Sequence, residues 1–142
     1  MNPLQRLMYG TARLPEGLRD SLRSEGIVLL AEALPGTVTF RRLKMPGQHA
    51  SWKRTGIVAT VALSAKRFVV YARRFKHIDV PVTEMNRYSV TAAERRPNQL
   101  AVTYDLGVTH PDWSGEVELR LRTDQAARIT DLLRRYPQSH TP

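Results

Sequence analysis

From Ile27 to Thr123 the apolar residues recur with a period of two, and that period commits most of the chain to a sheet. The stretch "IVLLAEALPGTVTFRRL" (27–43) reads as one long strand bent at Pro35-Gly36 or as two short ones. Proline removes a ladder donor there, and glycine permits the bend. In "GIVATVALS" (56–64), Ile57, Ala59, Val61 and Leu63 share one face, with Val58, Thr60 and Ala62 on the other. After a turn at Ser64-Ala65-Lys66, "RFVVYARRF" sets Phe68, Val70 and Ala72 against Val69, Tyr71 and Phe75. "HIDVPVT" groups Ile78, Val80 and Val82, and its Pro81 marks an edge position or a strand end. "RYSVTAAE", "LAVTYDLGV" and "GEVELRLRT" complete the series. In the last two, Leu100, Val102, Tyr104, Leu106 and Val108, then Val117, Leu119 and Leu121, alternate with polar residues.

The period changes to helical at both ends. Residues 3–9 suit one helical turn. In "LPEGLRDSLRSEG", Pro15 fits the first helical position, Glu16 the positive dipole end and Gly26 the stop. Leu14, Leu18 and Leu22 make a narrow stripe that can dock on the domain or on a second copy of it. Asp20 and Glu25 beside Arg19 and Arg23 argue against a membrane-surface helix. At the other end, Thr123 or Asp124 can cap "DQAARITDLLRRY". Its Ile129, Leu132, Leu133 and Tyr136 fall on one face, and Pro137 ends it. The expected fold is mainly β, with about seven antiparallel strands in a half-open barrel or sandwich plugged by a C-terminal helix and preceded by a short N-terminal one. Residues 1–26 are read as an N-terminal helical extension, 27–137 as the domain and 138–142 as a tail.

The lack of cysteine excludes disulfides, thiolate metal sites and cysteine nucleophiles. No apolar run approaches the roughly 20 residues that span a bilayer, and the opening "MNPLQRLMYGTARLPEG" lacks the regions of a secretory signal. The expected location is cytoplasmic, with peripheral contact at the inner membrane face as a further option. There is no nucleophile elbow, no phosphate-cradling glycine loop and no His-x-x-x-His spacing. The expectation is a non-catalytic chain that needs no cofactor.

The order of elements resembles the pleckstrin homology-like superfamily, including its GRAM-type and bacterial members, over about residues 27–136. "VALSAKRFVVYARRFKHIDVPVTEM" is similar to that superfamily's second hairpin and following strand, a "LT-x-x-R-hydrophobic" turn leading to an "I-x-hydrophobic-P" strand. Ser64 stands where threonine is common. The resemblance implies a seven-stranded barrel with a capping helix and a binding or scaffold role. Members that bind phosphoinositides use basic residues on the first two strands in a "K-x(n)-K/R-x-R" pattern. Lys44 can stand for the first of these, but Lys53-Arg54 is followed by Thr55.

Charge singles out one segment. The net charge is +9, yet no acid lies between Glu32 and Asp79, a span that holds ten bases. Hairpin topology brings Arg41, Arg42 and Lys44, then Lys53 and Arg54, then Arg73, Arg74 and Lys76, to one end of the sheet, with His49, Trp52 and His77 nearby. Lys66 and Arg67 fall at the other end. Such an acid-free rim can hold an anionic membrane face or an acidic protein surface by charge-assisted, bidentate contacts. The plainer reading is a set of solubilising charges at strand ends. Nucleic acid is the competing anion, with Trp52, Tyr71 and Phe75 as stacking candidates, although no helix-turn-helix, zinc-finger, RRM or KH signature accompanies them. Exposed strand edges also allow peptide pairing or a homo-oligomer. A more distant alternative is a metal-dependent hydrolase built on Asp105, His110, Asp112 and Glu116 of the 105–116 loop, which Gly107, Pro111 and Gly115 explain equally well as a plain turn.

Overall fold

The alternation that begins at Ile27 is realised as one strand of 19 residues, β1 (Ile27–Met45), rather than two. The computed structural model describes residues 14–72 and 75–138, so the expected turn at residues 3–9 lies outside the described part. Helix α1 (Glu16–Glu25) precedes β1, which is followed by β2 (Gln48–Ser64), β3 (Arg67–Ala72), β4 (Phe75–Pro81), β5 (Thr91–Arg96) and β6 (Gln99–Asp105). A single helical turn, α2 (Leu106–Thr109), then leads to β7 (Ser114–Arg122) and the final helix α3 (Ala126–Arg134). The seven strands form one antiparallel sheet in the order β4-β3-β2-β1-β7-β6-β5, curled into a half-barrel.

β1 is the spine of this sheet. It pairs with β2 along nearly its whole length, but with β7 only from Gly36 onward. Pro35 therefore sits just before the second ladder begins, where its missing N–H costs no strand pairing on that side. The irregularity lies slightly earlier than the expected Pro35-Gly36 bend. Register with β2 shifts between Ala31 and Leu34, with Ala33 at φ 56°. Gly36 is required for another reason, since a Cβ there would overlap the Arg120 carbonyl of β7.

Several boundaries differ from the period-two reading. β3 and β4 meet at Ala72 and Phe75, so "RFVVYARRF" is not one strand. "RYSVTAAE" begins as a turn containing Ser89 at φ 55°, and β5 starts only at Thr91. Leu106 and Val108 leave the sheet because the Asp105 side chain accepts a hydrogen bond from Gly107 N, at 2.8 Å, and starts a helical turn. The turn after β2 forms as expected. The buried Ser64 hydroxyl accepts from the Lys66 and Arg67 amides, at 3.1 and 3.0 Å. Pro81 both ends β4 and lies on an edge strand.

The concave face carries the main core, with Val61, Leu63, Phe68, Val70, Leu100, Val102, Leu119 and Leu121 almost wholly buried. α3 packs over β5 and β6 at one side of the sheet. Ile129 and Leu133 enter the core, and Thr130 Oγ1 accepts from Glu94 N of β5. Beyond the helix, Gln138 donates to the Val82 carbonyl past β4. α1 covers the convex face, where Leu14 and Leu22 bury against Ala62, Val69 and Tyr71. The leucine stripe thus docks on its own domain, which is why residues 57–64 of β2, and β3, are buried on both faces. No helix among the described residues is long and apolar enough to cross a membrane.

Candidate ligand-binding site

The β1–β2 hairpin runs well past β3 as a ribbon whose β2 edge is left unpaired while its β1 edge stays paired with β7. Thr39 faces Arg54, Phe40 faces Lys53, Arg41 faces Trp52 and Lys44 faces His49, while β3 pairs with β2 only at Ala59–Leu63. This ribbon carries five of the eight expected rim residues. Arg42, Lys44, Lys53 and Arg54 are exposed, and among the described residues none of the four has an acidic partner. Arg54 donates from Nε to Thr39 Oγ1, at 2.8 Å, and its guanidinium lies 5.0 Å from the centre of the Trp52 ring.

A bulge aims Arg42 away from the ladder. β1 gains a residue on β7 between Arg41 and Lys44, Arg42 takes φ 53°, and at Gly115, with φ 131°, a Cβ would lie within 3.1 Å of the Arg41 and Arg42 carbonyl oxygens. The result is a shallow polar groove of about 330 Å³ lined by Arg42, Lys44, His49, Ser51 and Ser114 with Leu43 and Ala50.

The expected acid-free rim is not what forms. Arg41 pairs with Glu118 of β7, at 3.2 Å, a carboxylate it shares with Arg120, because strand pairing places β7 beside β1. Lys76 pairs with Asp79, also at 3.2 Å, and Asp79 binds Arg67 at 3.0 Å as well. One carboxylate therefore links the cluster at the start of β4 to the turn residue expected at the opposite end. The strands between them are short enough for this. Arg73 and Arg74 lie outside the described residues. His77, expected on the rim, is buried, as is Tyr71, which lies beneath α1; Trp52 is 55% exposed.

Inside the mouth of the half-barrel, beside the ribbon, is an apolar cavity of about 250 Å³. Val38, Phe40, Leu43, Met45, Ile57, Ala72, Leu106 and Trp113 form its walls, with Gln48, Lys53 and His77 contributing polar atoms. His77 Nδ1 lies 2.6 Å from the Tyr104 hydroxyl. Burial pushes the imidazole down from its ordinary value to about 4, so it is neutral at pH 7. Burial likewise pushes the Tyr104 phenol up, which keeps its proton in place. Nothing in the alternation marked this cavity. The available signal was an aromatic pair, Phe40 and Trp113, in segments with excess turn or charge.

The 105–116 loop does not assemble a metal site. Asp105 is engaged as a helix cap and His110 stacks on Trp113 with ring centres 3.9 Å apart. No three His, Asp or Glu side chains gather as a ligand set among the described residues. Compared with protein-family models and with curated proteins, the chain matches none.

Proposed function

We propose that this half-barrel is a PH-like, non-catalytic binding module that docks on an anionic membrane face through the β1–β2 ribbon. The strand order β4-β3-β2-β1-β7-β6-β5 with a C-terminal helix packed on β5 and β6 supports the PH-like reading. The observation that carries the functional reading is Trp52. A large indole left more than half exposed, beside Arg54 on the hairpin that also carries Arg42, Lys44 and Lys53, has the chemistry of a membrane–water interface. There the amphipathic ring sits at headgroup depth and cations meet anionic lipid. A ribbon serving solubility alone needs its charges but not the indole.

Flotation with vesicles tests this. Vesicles containing phosphatidylserine should carry the protein up and pure phosphatidylcholine should not, with binding falling as salt rises. Each basic residue near such a surface contributes about 1 kcal/mol, so the R42E/K44E/K53E variant, which reverses three charges, should lose at least about a hundredfold in affinity. A gel shift with unrelated DNA and RNA runs alongside. If nucleic acid is bound and vesicles are not, the membrane reading is wrong.

A further inference from the structure

We propose that the cavity at the barrel mouth is a binding site for a small amphiphilic monoanion, an unbranched alkyl carboxylate of about eight carbons. The size follows from volume. A methylene takes up about as much space as a water molecule in the liquid, about 30 Å³, and the cavity holds about 250 Å³. The chemistry follows from the lining. Val38, Phe40, Leu43, Ile57 and Leu106 offer an alkyl chain its natural surroundings, and Trp113 adds a flat apolar wall.

The head group is set by charge. Among the described residues Lys53 is the one charged side chain of the lining, and it stands opposite Phe40 on the exposed part of β2, with its ammonium able to reach solvent. His77 adds a neutral ring, since its burial disfavours the proton. One cation at an otherwise apolar mouth complements one anionic head. A phosphate dianion or a second carboxylate at the far end of the chain would place charge against aliphatic walls with no partner. A cationic head would meet Lys53.

This site does not rest on the membrane reading. Arg42 and Lys44 line the neighbouring groove rather than this cavity. The test uses the full chain with Trp52→Phe, which leaves Trp113 as the sole indole, and follows its fluorescence together with calorimetry during titration with octanoate. Saturable one-to-one binding is expected, with octanol about threefold weaker, octylammonium about tenfold weaker and octanedioate weaker than octanoate as well. Lys53→Gln, an exposed change, should erase the preference for carboxylate over alcohol. Ala72→Phe, which fills the cavity, should abolish binding, with thermal unfolding used to show that the variant is folded. R42E/K44E should bind octanoate as before. No saturable binding, equal binding of octylammonium, a preference unchanged by Lys53→Gln, or full binding by a folded Ala72→Phe protein would each overturn the proposal.

Discussion

His77 Nδ1 lies 2.6 Å from the Tyr104 hydroxyl, a buried hydrogen bond that joins β4 to β6 across the concave side of the sheet. With the imidazole held near pKa 4 against an ordinary 6.5, the unfolded chain takes up a proton between those values and the folded chain does not. Stability is therefore full above about pH 6.5 and is lost as pH falls toward 4. The loss between pH 7 and pH 5 should be about 2 kcal/mol. Urea denaturation at the two pH values should show it, and His77→Gln should flatten that part of the profile. An equal decline in the variant would assign the acid sensitivity to other groups.

Tyr104→Phe keeps the ring's packing and removes the hydroxyl that meets Nδ1 of the buried imidazole. It should cost about 1–2 kcal/mol at pH 7, the usual penalty for stranding a buried polar atom. A change within error would mean that His77 finds another partner at little cost.

Gly36 and Gly56 provide a matched comparison on the two central strands. At Gly36 a Cβ would collide with the Arg120 backbone, which cannot move without opening the β1–β7 ladder; at Gly56 the nearest atom is 4.0 Å away. Gly36→Ala should destabilise by at least about 3 kcal/mol. Gly56→Ala should lie within about 0.5 kcal/mol of the parent or be slightly more stable, through the less flexible unfolded chain. Thermal or urea midpoints of the two variants decide the matter.

Leu22 is wholly buried between α1 and the convex face, and Arg67 reinforces the contact by donating from Nε to Glu25 at 3.0 Å. Leu22→Ala should cost about 3 kcal/mol. The exchange of amide hydrogens in Ala62 and Val69 should speed up more than that in Leu119, because α1 shields the first two. Uniform acceleration would instead make α1 an integral part of a single cooperative unit.

How far the sequence could be read follows the reach of each interaction. Strand count and the inward residues of β6 and β7 were legible because a half-buried strand writes its burial every second residue. Hairpin topology reached back to Lys53, but Gln48–Trp52 was not read as strand because that half of β2 is largely exposed on both faces, so its pairing with β1 leaves no hydrophobic rhythm. The Arg41–Glu118 pair joins residues 77 positions apart, and local charge counting cannot see a neutralising acid that arrives from β7. The cavity was the least legible feature. It arises from the curl of the sheet, which brings Phe40, Ala72 and Trp113 from separate segments around one space.

The two tryptophans report on the two proposed surfaces separately, which gives a direct prediction. Trp52 projects from the ribbon into solvent, whereas Trp113 is half-buried against His110 and lines the cavity. With Trp113→Phe, the remaining Trp52 should shift its emission to shorter wavelength on adding phosphatidylserine vesicles, as a ring does when it leaves water for the headgroup region. High salt should reverse the shift, since the attraction is between exposed charges. With Trp52→Phe, the remaining Trp113 should barely respond to vesicles, because ribbon docking leaves the cavity wall where it was. If Trp52 stays water-exposed while the protein floats with the vesicles, docking occurs through some other face, and the exposed indole loses its role.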